Sequence, residues 1–105
     1  MAEAKEIISD REFRELVSTL CNSISEKSRL IRLKSALGNF WFTCDQAKEL
    51  IGNKHFAWNS SEGPVHAAVA MYPRLVDPEG FEEKIVSLFK FDDIKDEIRS
   101  GVGLT

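Results

Sequence analysis

A chain of 105 residues suffices for one domain, because a fold of this size buries more than about 60% of the surface its unfolded chain would expose without help from metal or disulfide. With 43% apolar residues, 30% charged residues and a net charge of −3, it is too apolar for intrinsic disorder and too interrupted for a membrane span. The start Met1-Ala2-Glu3-Ala4-Lys5-Glu6 lacks the apolar stretch of a secretory signal, and Cys21 and Cys44 have no paired spacing, so a soluble, cytoplasmic protein with free, packed thiols is expected.

Taken in chain order, the first helix signal is Ser9 followed three residues later by Glu12, a capping box, with Ile8 and Phe13 at the spacing of a hydrophobic staple. It predicts a helix over 9–21 with Phe13, Leu16, Val17 and Leu20 on its inner stripe. Ser23 with Glu26 forms a second capping box ahead of a helix over 25–37, whose inner face carries Leu30, Leu33 and Leu37 and which Gly38 stops. Phe40-Trp41-Phe42-Thr43 is the single β-leaning stretch, read as a loop because it ends in the next cap. Thr43 with Gln46 then opens a helix over 43–53, bearing Ala47, Leu50 and Ile51.

Ser60 or Ser61 with Pro64 starts a helix over 61–72, with Val65, Ala68, Val69 and Tyr72 inward and Pro73 as its stop. Asp77-Pro78 is a cap followed by proline at the first helical position, predicting a helix over 77–89. Asp92 or Asp93 heads the last, over 92–100, ending at Gly101. The expected class is therefore all-α.

The caps Ser9, Thr43 and Asp77 lie 34 residues apart, each preceded by an apolar residue, Ile8, Phe42 and Val76. A fixed period of this length points to helix-turn-helix units near 9–42, 43–76 and 77–105, packed as a compact right-handed array or bundle in a single domain over 1–105. The length matches a tetratricopeptide repeat, whose Trp-x-x-Leu-Gly-x-x-Tyr signature is absent from all three units. Phe42-Thr43 with Gln46, Tyr72 through Pro78, Phe81, and Phe89-Lys90-Phe91 resemble instead an uncharacterised small all-helical domain family of bacterial and animal proteins. Its units pair a Phe-bearing helix with a loop ending in Phe-x-Phe. The resemblance implies an α-helical bundle with no assigned activity.

Reactive constellations are missing from the pattern. No Gly-x-Ser-x-Gly elbow occurs, and Ser60 and Ser61 near His66 read as caps beside a structural histidine. Cys21, Cys44, His55 and His66 are too scattered for a zinc site, which takes about four clustered ligands. Gly101-Val102-Gly103 precedes no helix that would aim backbone donors at a phosphate. Neither catalysis, cofactor nor metal is expected.

Charge is uneven along the chain. Residues 9–42 carry six basic against four acidic groups, whereas residues 77–105 carry four against eight, which predicts a basic end and an acidic end and leaves self-association open. Arg29 and Arg32, flanked by Lys27 and Lys34, are placed on the face of the second helix opposite its leucines. A net charge of −3 argues against nucleic acid, whose phosphates each ask for a cation, and favours a protein or acidic-peptide partner. Trp41 and Trp58 flank the third helix and serve either the core or a binding surface. The sequence reading is thus a non-enzymatic interaction module with Arg29, Arg32, Trp41 and Trp58 as its surface. The alternative is a small ligand-binding or hydrolase domain built on His55, Trp58 and His66.

Overall fold

The computed structural model describes residues 6–23, 25–52 and 62–104. Among the described residues six α-helices follow in chain order: α1 Asp10–Cys21, α2 Glu26–Leu37, α3 Cys44–Gly52, α4 Glu62–Met71, α5 Phe81–Lys84 and α6 Asp92–Val102. Short 3-10 turns at Tyr72–Arg74, Pro78–Gly80 and Val86–Leu88 complete the order, and no strand occurs among the described residues. The radius of gyration, 13.2 Å, matches the ~13 Å of a compact domain of this length.

Local chemistry sets most of the helix starts. The Glu12 N–H donates to Ser9 Oγ at 3.2 Å. The Glu12 carboxylate accepts from the Ser9 hydroxyl rather than its backbone, so only half of the expected box forms. At α3 the box is complete: the Gln46 N–H donates to Thr43 Oγ1, and the Thr43 N–H donates to Gln46 Oε1 at 3.0 Å. The start of α2 differs from expectation, because Ser25, with extended backbone at φ −139° and ψ 162°, accepts from the Ser28 N–H. Ser23 turns back instead to donate to the Thr19 carbonyl. Ser60 and Ser61, also expected at a helix start, lie outside the described residues.

The segments around Ile7, Trp41-Phe42 and Leu75 lie side by side. Trp41 bridges Ile7 in parallel, its N–H donating to the Glu6 carbonyl and its carbonyl accepting from Ile8 N. Phe42 bridges Leu75 in the same sense, through the Arg74 carbonyl and the Val76 N–H. The segment read as a loop therefore forms the middle of a short parallel ladder. Successive residues of an extended chain face opposite ways, so Phe42 is buried while Trp41 is only half-buried. Two side chains tie the ladder to α3: Gln46 Nε2 donates to the Ile8 carbonyl at 3.4 Å, and Asp77 Oδ1 accepts from the Cys44 N–H at 2.8 Å.

The helix expected over 77–89 breaks into pieces: a 3-10 turn, the four-residue α5 and a second 3-10 turn. Asp77 makes no side-chain cap of its own turn, since its carboxylate satisfies an orphan donor of α3. Further on, α5 ends at Ile85, with φ −105° and ψ −57°, and the chain tightens into the 3-10 turn Val86–Leu88, with Ile85 and Val86 both buried. Asp77→Ala should therefore destabilise the fold by about 1 kcal/mol through the lost cap on α3, Asp77→Asn by less. Urea denaturation of both variants checks the order.

The core runs between the elements, with Leu20, Leu33, Phe42, Leu50, Ala68, Met71, Phe81, Ile85 and Ile98 fully enclosed. Helix α4 is the hub, touching α2, α3 and α6, and its sequence Val65-His66-Ala67-Ala68-Val69-Ala70-Met71 is apolar almost all round, as a surrounded helix requires. On its far side α6 passes straight through Gly101, the expected stop, and ends at Gly103 with φ 80°. Only glycine takes that left-handed cap without strain. Gly101 is needed elsewhere: a Cβ there would stand 3.0 Å from Val69 Cγ2, so its absence lets α6 approach α4 closely.

Candidate functional site

Two helices flank α4 without closing over it. Between α2 and α6 a groove of about 510 Å³ remains, its floor formed by Val65, His66, Val69 and Ala70 of α4. Lys34 of α2 stands on one wall, Glu97 and Gly101 of α6 on the other. Val69 and Ala70 keep part of their surface in solvent and His66 is exposed, whereas Val65, Ala67, Ala68 and Met71 are buried. Residues three and four apart share a side of a helix. The α2 wall is thereby extended by Ile31 and Lys27, and the α6 wall by Asp93, all exposed. Ile31, three residues before Lys34 on α2, is a large apolar side chain that stays 59% exposed.

Lys34, from the basic segment, and Glu97, from the acidic one, line the same groove, because α2 and α6 both pack on α4. Among the described residues neither Lys34 nor Glu97 enters an ion pair. By contrast Arg99, on the same helix as Glu97, is bound to Glu82 at 2.7 Å and Asp96 at 2.8 Å.

The expected interaction residues separate. Arg29 is only 4% exposed, and its Nε donates to the Leu20 carbonyl at 3.0 Å, so it does not share a solvent face with Arg32. Its cation sits at the carboxyl end of α1, where the helix dipole is negative. Arg32 is exposed and lines a different depression, of about 370 Å³ between α1 and α2, together with Glu12 and Glu15. Trp41 lies under the Arg74 guanidinium, whose carbon is 4.4 Å from the ring centroid, within the range of a cation–π contact. Arg74 Nε also donates to the Phe40 carbonyl. His66 is exposed in the groove, while His55 and Trp58 lie outside the described residues.

Residues 7–101 match the family described as Domain of unknown function (DUF4476). The chain belongs to that family. No curated protein and no solved structure matches it. Among the described residues of this DUF4476 domain, no helix is long and apolar enough to cross a membrane. Within the same residues, no three His, Cys, Asp or Glu side chains gather as a metal site would require.

The thiols of the DUF4476 domain differ in setting. Cys44 is enclosed, its thiol donating to the Asp77 carbonyl at 2.9 Å, whereas Cys21 is half-buried. Burial first, and then the Asp77 contact, push the Cys44 thiol up from 9.0 to about 12, away from nucleophilic chemistry. A proton held more tightly in the folded than in the unfolded chain gives stability that is complete below the unfolded value. That stability is lost as pH climbs toward the folded one. Between pH 9 and 11 the domain should lose about 1–3 kcal/mol. Lys84, raised by its hydrogen bond to Asp45, acts in the same direction. The thiol's share is therefore read as the difference in slope between the native chain and Cys44→Ala, by urea titration across pH 8–11. Equal slopes would refute it.

Sequence reasoning missed Glu97 and the half-open flank of α4. The signal was present in part. Lys27, Ile31 and Lys34 form an i, i+4, i+7 series, and Asp93, Glu97 and Gly101 form an i, i+4, i+8 series, but only the packing of α2 and α6 on α4 brings the two together.

Proposed function

We propose that this DUF4476 domain is a non-enzymatic interaction module that docks a partner protein in the groove between α2 and α6. The supporting observation is the half-exposed α4 floor: a helix apolar on nearly every side, partly uncovered along a groove of about 510 Å³ lined by Val69 and Ala70. An apolar groove framed by charged walls is the arrangement that protein recognition by helix-in-groove docking uses. The groove's described lining offers a histidine and a glutamate but no serine, threonine or cysteine nucleophile, which favours binding over covalent hydrolysis.

Filling the floor tests the idea. Affinity capture with the wild-type chain and with Ala70→Trp should give partners retained by the first and reduced at least ~10-fold by the second, as blocking a central apolar contact does. His66→Trp, at an exposed position, serves as a second block if Ala70→Trp fails to fold by circular dichroism. Capture that is the same for native and blocked chains, or absent from both, would count against the proposal.

One observation favours a second reading, a small-molecule site: the groove volume lies within the roughly 300–1,000 Å³ of such pockets, and His66 lines it. That reading expects a small-molecule library to raise the melting temperature of the native chain and not of Ala70→Trp.

A further inference from the structure

Resting on the groove reading above, we infer that the occupant is an amphipathic α-helix with acidic residues along one flank of its apolar stripe and basic residues along the other. The argument begins with the walls. Lys34 of α2 and Glu97 of α6 line the groove, and helical spacing sets the exposed Lys27 and Ile31 on the side of α2 that bears Lys34 and the exposed Asp93 on the side of α6 that bears Glu97. The groove therefore has a cationic wall, an apolar floor and an anionic wall, in that order across its width. Lys34 and Glu97 find no ion-pair partner among the described residues, so both charges stay available to an incoming chain.

An occupant must match this order. A uniformly acidic or uniformly basic helix meets one wall of like charge, and such juxtaposition is a means of rejecting wrong partners. A helix carrying Asp or Glu toward α2 and Lys or Arg toward α6 is attracted by both walls. Its apolar positions at i, i+3, i+4 and i+7 fall over Val69, Ala70 and the exposed Ile31. Helices fit better than extended strands here because the apolar surface is a strip between two helical ridges, the geometry into which a third ridge packs.

The order across the groove also fixes direction. Turning a helix end for end exchanges its left and right flanks, so a given peptide satisfies both walls in one orientation only. Reversing both walls at once, by Lys27→Glu and Lys34→Glu on α2 with Asp93→Lys and Glu97→Lys on α6, should make the same peptide bind reversed.

The probe is a displayed library of helix-forming peptides, selected on the full chain and counter-screened on Ala70→Trp. Enriched sequences should show the apolar stripe with opposite charges on its two flanks. Their affinity should fall about 3- to 10-fold on Lys34→Glu alone and again on Glu97→Lys alone, with the difference shrinking at high salt, as rim charges do. A nitroxide at the peptide's amino terminus should broaden resonances at one end of the groove in the native chain and at the other in the variant with both walls reversed. Peptides lost on Ala70→Trp yet helix-breaking, or indifferent to both charge reversals, would overturn the inference while leaving the groove reading intact. Peptides that bind Ala70→Trp undiminished, or no enrichment at all, would overturn both.

Discussion

Phe42→Ala should destabilise this domain by about 3–5 kcal/mol, the range for removing a fully buried aromatic ring from a core. Phe42 has no exposed surface, and it occupies the middle strand position of the ladder that joins the segments around Ile7 and Leu75. Its backbone hydrogen bonds to Arg74 and Val76 need no side chain and survive the change. The loss is therefore one of packing, and the cavity lies where the segments before α1, α3 and α5 converge. Against a total stability of about 5–15 kcal/mol for a native domain, about a fifth of the margin or more disappears. The urea midpoint should fall by about 1 M or more at the slopes usual for small domains, with Phe42→Leu recovering most of it. Trp41→Ala, on the outer face of the same segment, should cost much less, because half of that ring already meets solvent or Arg74. A Phe42→Ala variant within 1 kcal/mol of the native chain would show that the seam is not a cohesive part of the core.

The helical class and most helix positions were legible because local chemistry decided them. The caps Ser9 and Thr43 open α1 and α3, whose observed spans Asp10–Cys21 and Cys44–Gly52 follow directly. Reading failed wherever a distant group outbid a local one. Asp77-Pro78 has every feature of a helix start, yet the Asp77 carboxylate is taken by the Cys44 N–H, 33 residues away. Gly101 has the composition of a helix stop, but it serves close approach to Val69 and the helix runs on. At α2 two serines competed for one role. Ser25 won by accepting from Ser28, and nothing in the spacing alone separates it from Ser23. The candidate site was less legible still. Its walls come from the second and sixth helices and its floor from the fourth, so the uneven charge along the chain was visible while its arrangement across a groove was not.

The same distinction between local and tertiary roles governs the last prediction, which concerns Arg29. By composition an arginine on a leucine-bearing helix reads as a solvent-facing charge, and Arg32 three residues later behaves so. Arg29 instead spans from α2 to the end of α1, where its Nε meets the Leu20 carbonyl at 3.0 Å. Arg29→Ala removes a charge-assisted hydrogen bond, a favourable interaction with the α1 dipole and the packing of a long buried stem. Together these are worth about 2–4 kcal/mol. Arg29→Lys should fall between, since an ammonium keeps the charge but not the guanidinium's planar donor geometry. Arg32→Ala should leave stability within about 0.5 kcal/mol, as exposed positions do. Chemical denaturation of the three variants reads the order. If partner capture is measured alongside, Arg29→Ala should reduce it only in proportion to the folded fraction, because a residue that joins α1 to α2 acts on binding through the fold. Loss of capture by a fully folded Arg29→Ala protein would contradict this assignment and return Arg29 to the binding surface.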